Sequence, residues 1–183
     1  MSLPVAPDPA KLVIGIFTAD RSLLDGVAQR LCESYGPLDI VSPWLAFDRT
    51  DYYAAEMGSN LERRIMAFKP LIDPGTLAAV KTATNAIEAD LACDGRRRIN
   101  IDPGILTRER FVLATGKNYA HRIYLVDGIY ADLTLVYRDG CFQPLPWTYP
   151  DYAGDPIRSL LAAIREKYLR DLRTGASTLK EIS

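Results

Sequence analysis

The chain has one histidine, three cysteines and almost no net charge, and each scarcity removes a class of function. With His121 alone, neither an HExxH motif nor any multi-histidine metal site can be built. Cys32, Cys93 and Cys141 are odd in number and far apart, with no CxxC spacing, so neither structural zinc nor a disulfide framework is expected. They read as reduced thiols of a cytoplasmic protein. Lys plus Arg (22) nearly balances Asp plus Glu (23), so no global field directs the chain to nucleic acid or to an acidic membrane. The longest apolar run, Leu12 to Phe17, is far too short to span a bilayer. No GxGxxG follows the first expected strand and no GxSxG elbow occurs. Gly116-Lys117 lacks both the upstream glycine and the Ser/Thr of a phosphate-binding loop.

What is present suits one globular unit. The 183 residues are 48% hydrophobic and 25% charged, enough for a sizeable core. Residues 1–10 are Pro-rich and read as a disordered leader, 11–173 as a single domain, and 174–183 as a frayed tail. "KLVIGIF" is apolar on both alternating faces, as a strand covered on both sides must be. Asp20 or Ser22 can cap the helix that follows, whose stripe is Leu24, Val27, Leu31 and Tyr35 and whose stop is Gly36-Pro37. "PLDIVS" and "RRIMAFKPLI" read as strands around a polar, aromatic connection. "DPG" at Asp73 then starts a helix with Leu77, Val80, Thr84, Ile87 and Leu91 on one side, with Gly95 just past its end. "RRRINID" is a fourth strand. The β-α-β-β-α-β order predicts an α+β fold: a ferredoxin-like sandwich, extended by an antiparallel meander and a C-terminal helix.

A second "DPG" at Asp102 predicts a cap and a short helix over "TRERFVLAT", ended by Gly116. The meander follows. Its first turn is expected as a three-residue loop, Val126 to Gly128, which sets Ile123 and Leu125 opposite Ala131 and Ile129 on the core face. Arg122 then faces Asp132, and Tyr124 faces Tyr130, on the polar side. Asp155 is expected to cap a last helix carrying Ile157, Leu160, Leu161, Ile164, Tyr168 and Leu172, with Glu166 and Arg170 as a supporting pair.

Candidate functional residues gather in and around this meander. His121 titrates near neutral pH, and in the expected register it falls beside Ile123 and Leu125, so a packed or capping role stands before a functional one. Lys117 sits after a helix end, where a cation suits the dipole, or else meets a phosphate. Arg122 and Asp132 read as an exposed cross-strand pair or a ligand clamp. Asn100 and Asp102 occupy the non-core face of their strand, and Arg96-Arg97-Arg98 reads as a solvated turn. Trp147, Tyr149, Tyr152, Tyr52 and Tyr53 close a pocket or plug the mouth of a core.

The segments "SPWLAFDRTDYYAAEMG", "RRINIDPGILT", "LATGKNYAHRIYLVDGIYADLTL" and "PLPWTYPDY" together resemble the domain of unknown function 4416 family, from about Lys11 to Leu172. Its members are sometimes labelled GTP-binding; the resemblance brings no catalytic residue and no cofactor with it. Two functions are carried forward. One is a domain that binds a small anionic ligand, a nucleotide or a phosphorylated or carboxylated metabolite, or a small enzyme acting on one. Its expected ligand set is Asp102, Lys117, His121, Arg122, Tyr124, Tyr130, Asp132, Trp147 and Tyr149. The other is a non-enzymatic interaction module that forms a homodimer. No membrane and no nucleic-acid partner is expected.

Overall fold

The structure, a computed structural model, describes residues 1–48 and 54–175. It is an α+β fold built on one antiparallel open sheet of nine strands. In chain order these are β1 (Ala10–Thr18), β2 (Leu38–Val41), β3 (Leu45–Ala46), β4 (Glu62–Ile72), β5 (Ile99–Leu106), β6 (Arg110–Thr115), β7 (Arg122–Val126), β8 (Ile129–Arg138) and β9 (Cys141–Pro144). Three long helices, α1 (Leu23–Tyr35), α3 (Leu77–Asp90) and α4 (Asp155–Thr174), accompany the one-turn α2 (Ala54–Met57). The main path of the sheet runs β2-β4-β1-β5-β6-β8-β7, with β3 on β4 and β9 on β8.

β1 is central and every residue in it is buried, as its two-faced apolarity requires. Leu12, Ile14 and Ile16 face α1 and α3, whose stripes Leu24, Val27, Leu31 and Leu77, Val80, Ile87 complete one core. Val13 faces the other way, toward Ile65, Phe111, Leu135 and the α4 residues Ile157, Leu161, Ile164 and Tyr168. The sheet is therefore covered on both faces. Lys11, also on β1, is fully buried and is neutralised there by Asp39 at 3.0 Å and Asp171 at 2.9 Å, tying β1 and β2 to α4. At the N-terminus, Asp8 pairs with Arg108 and the Pro9 carbonyl accepts a hydrogen bond from the Tyr168 hydroxyl.

Several local expectations are corrected. The first "DPG" does start a helix, with the Asp73 carboxylate accepting from the Gly75 N–H at 2.8 Å. The second does not: Asp102, Pro103 and Gly104 continue β5, held by pairing with Gly15, Ile14 and Val13. "TRERFVLAT" is not a helix either; its second half is β6, paired with β5 and β8. Asp102 is thus no helix cap. Asp155 is the first residue of α4 rather than its cap, and Glu166 pairs with Arg165 instead of Arg170. The expected pairs Arg122–Asp132, Ile123–Ala131 and Tyr124–Tyr130 are formed, but Val126, not Leu125, faces Ile129. Asp127 and Gly128 form a two-residue turn with both φ positive, and a bulge at Leu125 absorbs the remaining residue. Ile123 is 70% exposed because β7 is an edge strand beyond the reach of the helices. No helix among the described residues is long and apolar enough to cross a membrane.

Candidate functional site

The site begins with a missing hydrogen. The Ile101 N–H donates to the Glu88 carboxylate at 2.7 Å, and the Ile101 carbonyl accepts from Lys81 Nζ at 2.8 Å, so both backbone groups point away from β1. By strand alternation the Pro103 nitrogen faces the same way, and proline has no N–H to give β6. The β5–β6 ladder stops beside it, at Gly104 opposite Leu113. Beyond that point the strands part. The gap is lined from behind by α3, where Lys81, Asn85 and Glu88 follow one another at helical spacing.

In front of the gap, on the α4 side of the sheet, lies a cleft of about 830 Å³. Its floor is β1 and β5: Phe17 pairs with Asn100, and Gly15 with Asp102. Gly15 is required there, since a Cβ would stand 2.7 Å from the Tyr152 hydroxyl oxygen. One wall is aromatic, with Phe17 and Phe47 stacked at 4.3 Å. The Arg63 guanidinium lies over Phe47 and Tyr152, at 4.6 and 4.7 Å, and is ion-paired to Asp151. The other wall is the meander. Here Arg122 Nε donates to Asp132 at 2.8 Å, Nη1 to the Lys117 carbonyl at 2.8 Å, and Nη2 to the Tyr149 hydroxyl at 3.4 Å. His121 stands 3.4 Å from the same Asp132 oxygen and stacks on Trp147 at 5.0 Å, with the rings 11° from parallel. Trp147 is itself fixed by a 2.8 Å hydrogen bond from its indole N–H to the Leu133 carbonyl.

Of the residues expected from the sequence, Asp102, Lys117, His121, Arg122, Asp132, Trp147 and Tyr149 line this cleft. Tyr124 and Tyr130 do not; they pack edge to face against each other farther along the strands, and Tyr124 is 57% exposed. Two roles change. His121 belongs to the polar wall, not to an apolar face, because it precedes β7 and escapes its alternation. Arg122 and Asp132 are not an exposed pair, since each side chain is only 7% exposed. Tyr52 and Tyr53 lie outside the described residues. Arg63 and Lys81 were missed, although each stood in an apolar pattern: Arg63 alternates with Ile65 and Ala67, and Lys81 lies in the stripe of Leu77 and Thr84.

The electrostatics are those of a mixed, slightly cationic pocket. Burial pushes the Glu88 carboxyl above its ordinary value, aided by Asp102, while Lys81, the Ile101 N–H and Arg97 oppose the shift. Burial works against charge on Arg122, but its bonds to Asp132 and Tyr149 outweigh this and raise its pKa. Asn100 is 4% exposed; its side-chain carbonyl accepts from Arg97 Nη1 at 2.8 Å, while its Nδ2 has no partner among the described residues. An unmet buried donor costs about 1–3 kcal/mol. A shallower depression at Asp20, Glu56 and Arg96–Arg98 is bridged by Arg97–Glu56 and Arg98–Asp20 pairs, both 2.7 Å.

The family described as Domain of unknown function (DUF4416) matches residues 8–168, most of the chain. The chain belongs to this family. The DUF4416 domain takes in every strand of the sheet and both walls of the cleft. Comparison with curated proteins and with solved structures finds no match.

Proposed function

We propose that this DUF4416 domain binds a small anionic ligand, a nucleotide or a phosphorylated or carboxylated metabolite, in the cleft where β5 and β6 part. The observation that carries the reading is the charge of the lining. The lining carries five cations, Arg63, Lys81, Arg97, Lys117 and Arg122, against three carboxylates, Asp102, Asp132 and Asp151, with Glu88 and Glu56 behind Lys81 and Arg97. Such a concave site, apolar in part with a few fixed polar groups, is where ligands are ordinarily held. The order β2-β4-β1-β5, with α1 and α3 on one face, supports reading the first half as a ferredoxin-like sandwich extended by the meander. The three unpaired cysteines suit a cytoplasmic setting.

The test is a thermal-shift screen against nucleotides and phosphorylated and carboxylated metabolites. A ligand present at about 100 times its Kd adds about 2.7 kcal/mol, which raises Tm by roughly 5–10 °C in a domain of this size. Lys117→Glu, at an exposed position on the rim, should remove that shift. If no anion raises Tm, or if the variant responds as the parent does, the reading fails.

A second reading, a homodimer, has its own observation. Edge strand β7 exposes Ile123, Tyr124, Leu125 and Val126 along an unpaired rim. Light scattering on the parent and on Ile123→Lys decides it: a dimer that the substitution dissociates supports the edge, and a monomeric parent rejects it.

A further inference from the structure

We infer that the deep end of the cleft is built for a hydroxyl-bearing carbon skeleton, so that the ligand is a phosphorylated or carboxylated sugar or polyol, nucleotides included. The inference rests on the anion-binding reading and narrows it. Asn100 and Asp102 point to the same face of β5, two residues apart, hence roughly 7 Å along the strand. Asn100 offers a donor, Nδ2, unpartnered among the described residues, on a side chain that is nine-tenths buried. Asp102 offers acceptors: its carboxylate is 25% exposed and its nearest cation, Lys81 Nζ, stands at 3.7 Å, an ion-pair distance longer than a hydrogen bond.

The pairing discriminates among ligand groups. A phosphate or carboxylate placed here would meet the Asp102 charge. An ammonium group would meet the Lys81 charge, 3.7 Å from Asp102. Hydroxyls carry no charge, and each donates one hydrogen bond and accepts others, so neighbouring hydroxyls of one skeleton satisfy Asn100 and Asp102 without adding charge. The boundary of this end is apolar, because the buried Phe17 and Tyr152 border these two polar groups. The ligand's anionic end then lies toward Lys117 and the meander wall.

Titration calorimetry on the full chain with matched probes tests this. Ribose 5-phosphate and glucose 6-phosphate carry hydroxyls; propyl phosphate and inorganic phosphate carry the anion without the sugar. A site that hydrogen-bonds a hydroxyl rejects an analogue lacking it by factors of about 10⁴–10⁵ at best. A preference of at least about 100-fold for one of the sugar phosphates over propyl phosphate is therefore expected here. Asp102→Asn should bring the sugar phosphate down to the propyl phosphate level and leave propyl phosphate no weaker. Asn100→Ala, which removes the unmet donor together with the acceptor of Arg97, should weaken the sugar phosphate by more than it weakens propyl phosphate, and it decides the matter if Asp102→Asn fails to fold. Equal affinity for sugar phosphates and propyl phosphate overturns the inference and leaves the anion site standing. Binding of none of the four overturns the inference, and the anion site is then decided by the thermal-shift screen.

Discussion

Replacing Arg122 with alanine strands a carboxylate that the fold has already taken out of water. Asp132 and Arg122 have side chains only 7% exposed and meet at 2.8 Å. An exposed cross-strand pair of this kind is worth about 0.2–1 kcal/mol. Removing one partner of a buried pair costs more, about 3–5 kcal/mol, because the other charge remains desolvated. The Lys117 carbonyl and the Tyr149 hydroxyl also lose their donor, which loosens the rim of the cleft. His121, at 3.4 Å, can return only part of the lost contact. Against a total stability of about 5–15 kcal/mol, the variant should lose roughly a fifth or more. Urea unfolding followed by circular dichroism reads this as a lowered midpoint at unchanged slope. The double variant Arg122→Met/Asp132→Leu should recover much of the loss, since a buried pair is often replaceable by apolar groups. A loss of about 1 kcal/mol or less for Arg122→Ala, or a double variant worse than the single, would refute the argument that burial governs this pair.

At Gly104 a methyl group would stand 2.8 Å from both Phe111 Cζ and the Val112 carbonyl, so Gly104→Ala should cost about 1–3 kcal/mol in urea unfolding. Unchanged stability would mean that β6 yields there. Burial works against ionisation of Asp171, but hydrogen bonds from Lys11 and Lys167 outweigh it and hold its pKa below 3.8. Its folded pKa is depressed, so its contribution is present above pH 3.8 and is lost as pH falls through the folded value. Urea midpoints taken below about pH 5 should therefore fall less steeply for Asp171→Asn than for the parent, and an equally steep fall would remove Asp171 from the acid response.

Much of the scaffold was legible because period and punctuation agreed. β1 is apolar on both faces and is covered on both; α1 and α3 carry a single stripe each and bury it. In the meander, the match of Arg122 to Asp132 and Tyr124 to Tyr130 followed from side-chain alternation alone. The failures share a cause: a local signal was outvoted by neighbours distant in sequence. "DPG" caps where Asp73 leaves the sheet, yet the same three residues at 102–104 remain extended because β1 holds them. The apolar residues of β7 look like core, but no helix reaches that edge. The deep end of the cleft was the least visible part. It joins Arg63, Lys81 and Asn100 from three separate elements, and two of these hide among apolar stripes.

Pro103 has a mechanical consequence. Because the β5–β6 ladder ends at Gly104, the ladder between the two halves of the sheet has three residue pairs, Gly104–Leu106 against Leu113–Phe111, continued at the turn by the Thr107 N–H on the Arg110 carbonyl, with α4 packed across them as a brace. The ladder is a short joint, and the cleft opens where it ends. If a ligand binds there, the width offered to it follows the set of that joint as well as the lining side chains. Repacking Phe111 or Leu106 against α4, well away from the polar groups, is then a way to change affinity without touching a contact residue. Conversely, a ligand gripping both walls would stiffen the joint and protect the amides of β6 from hydrogen exchange.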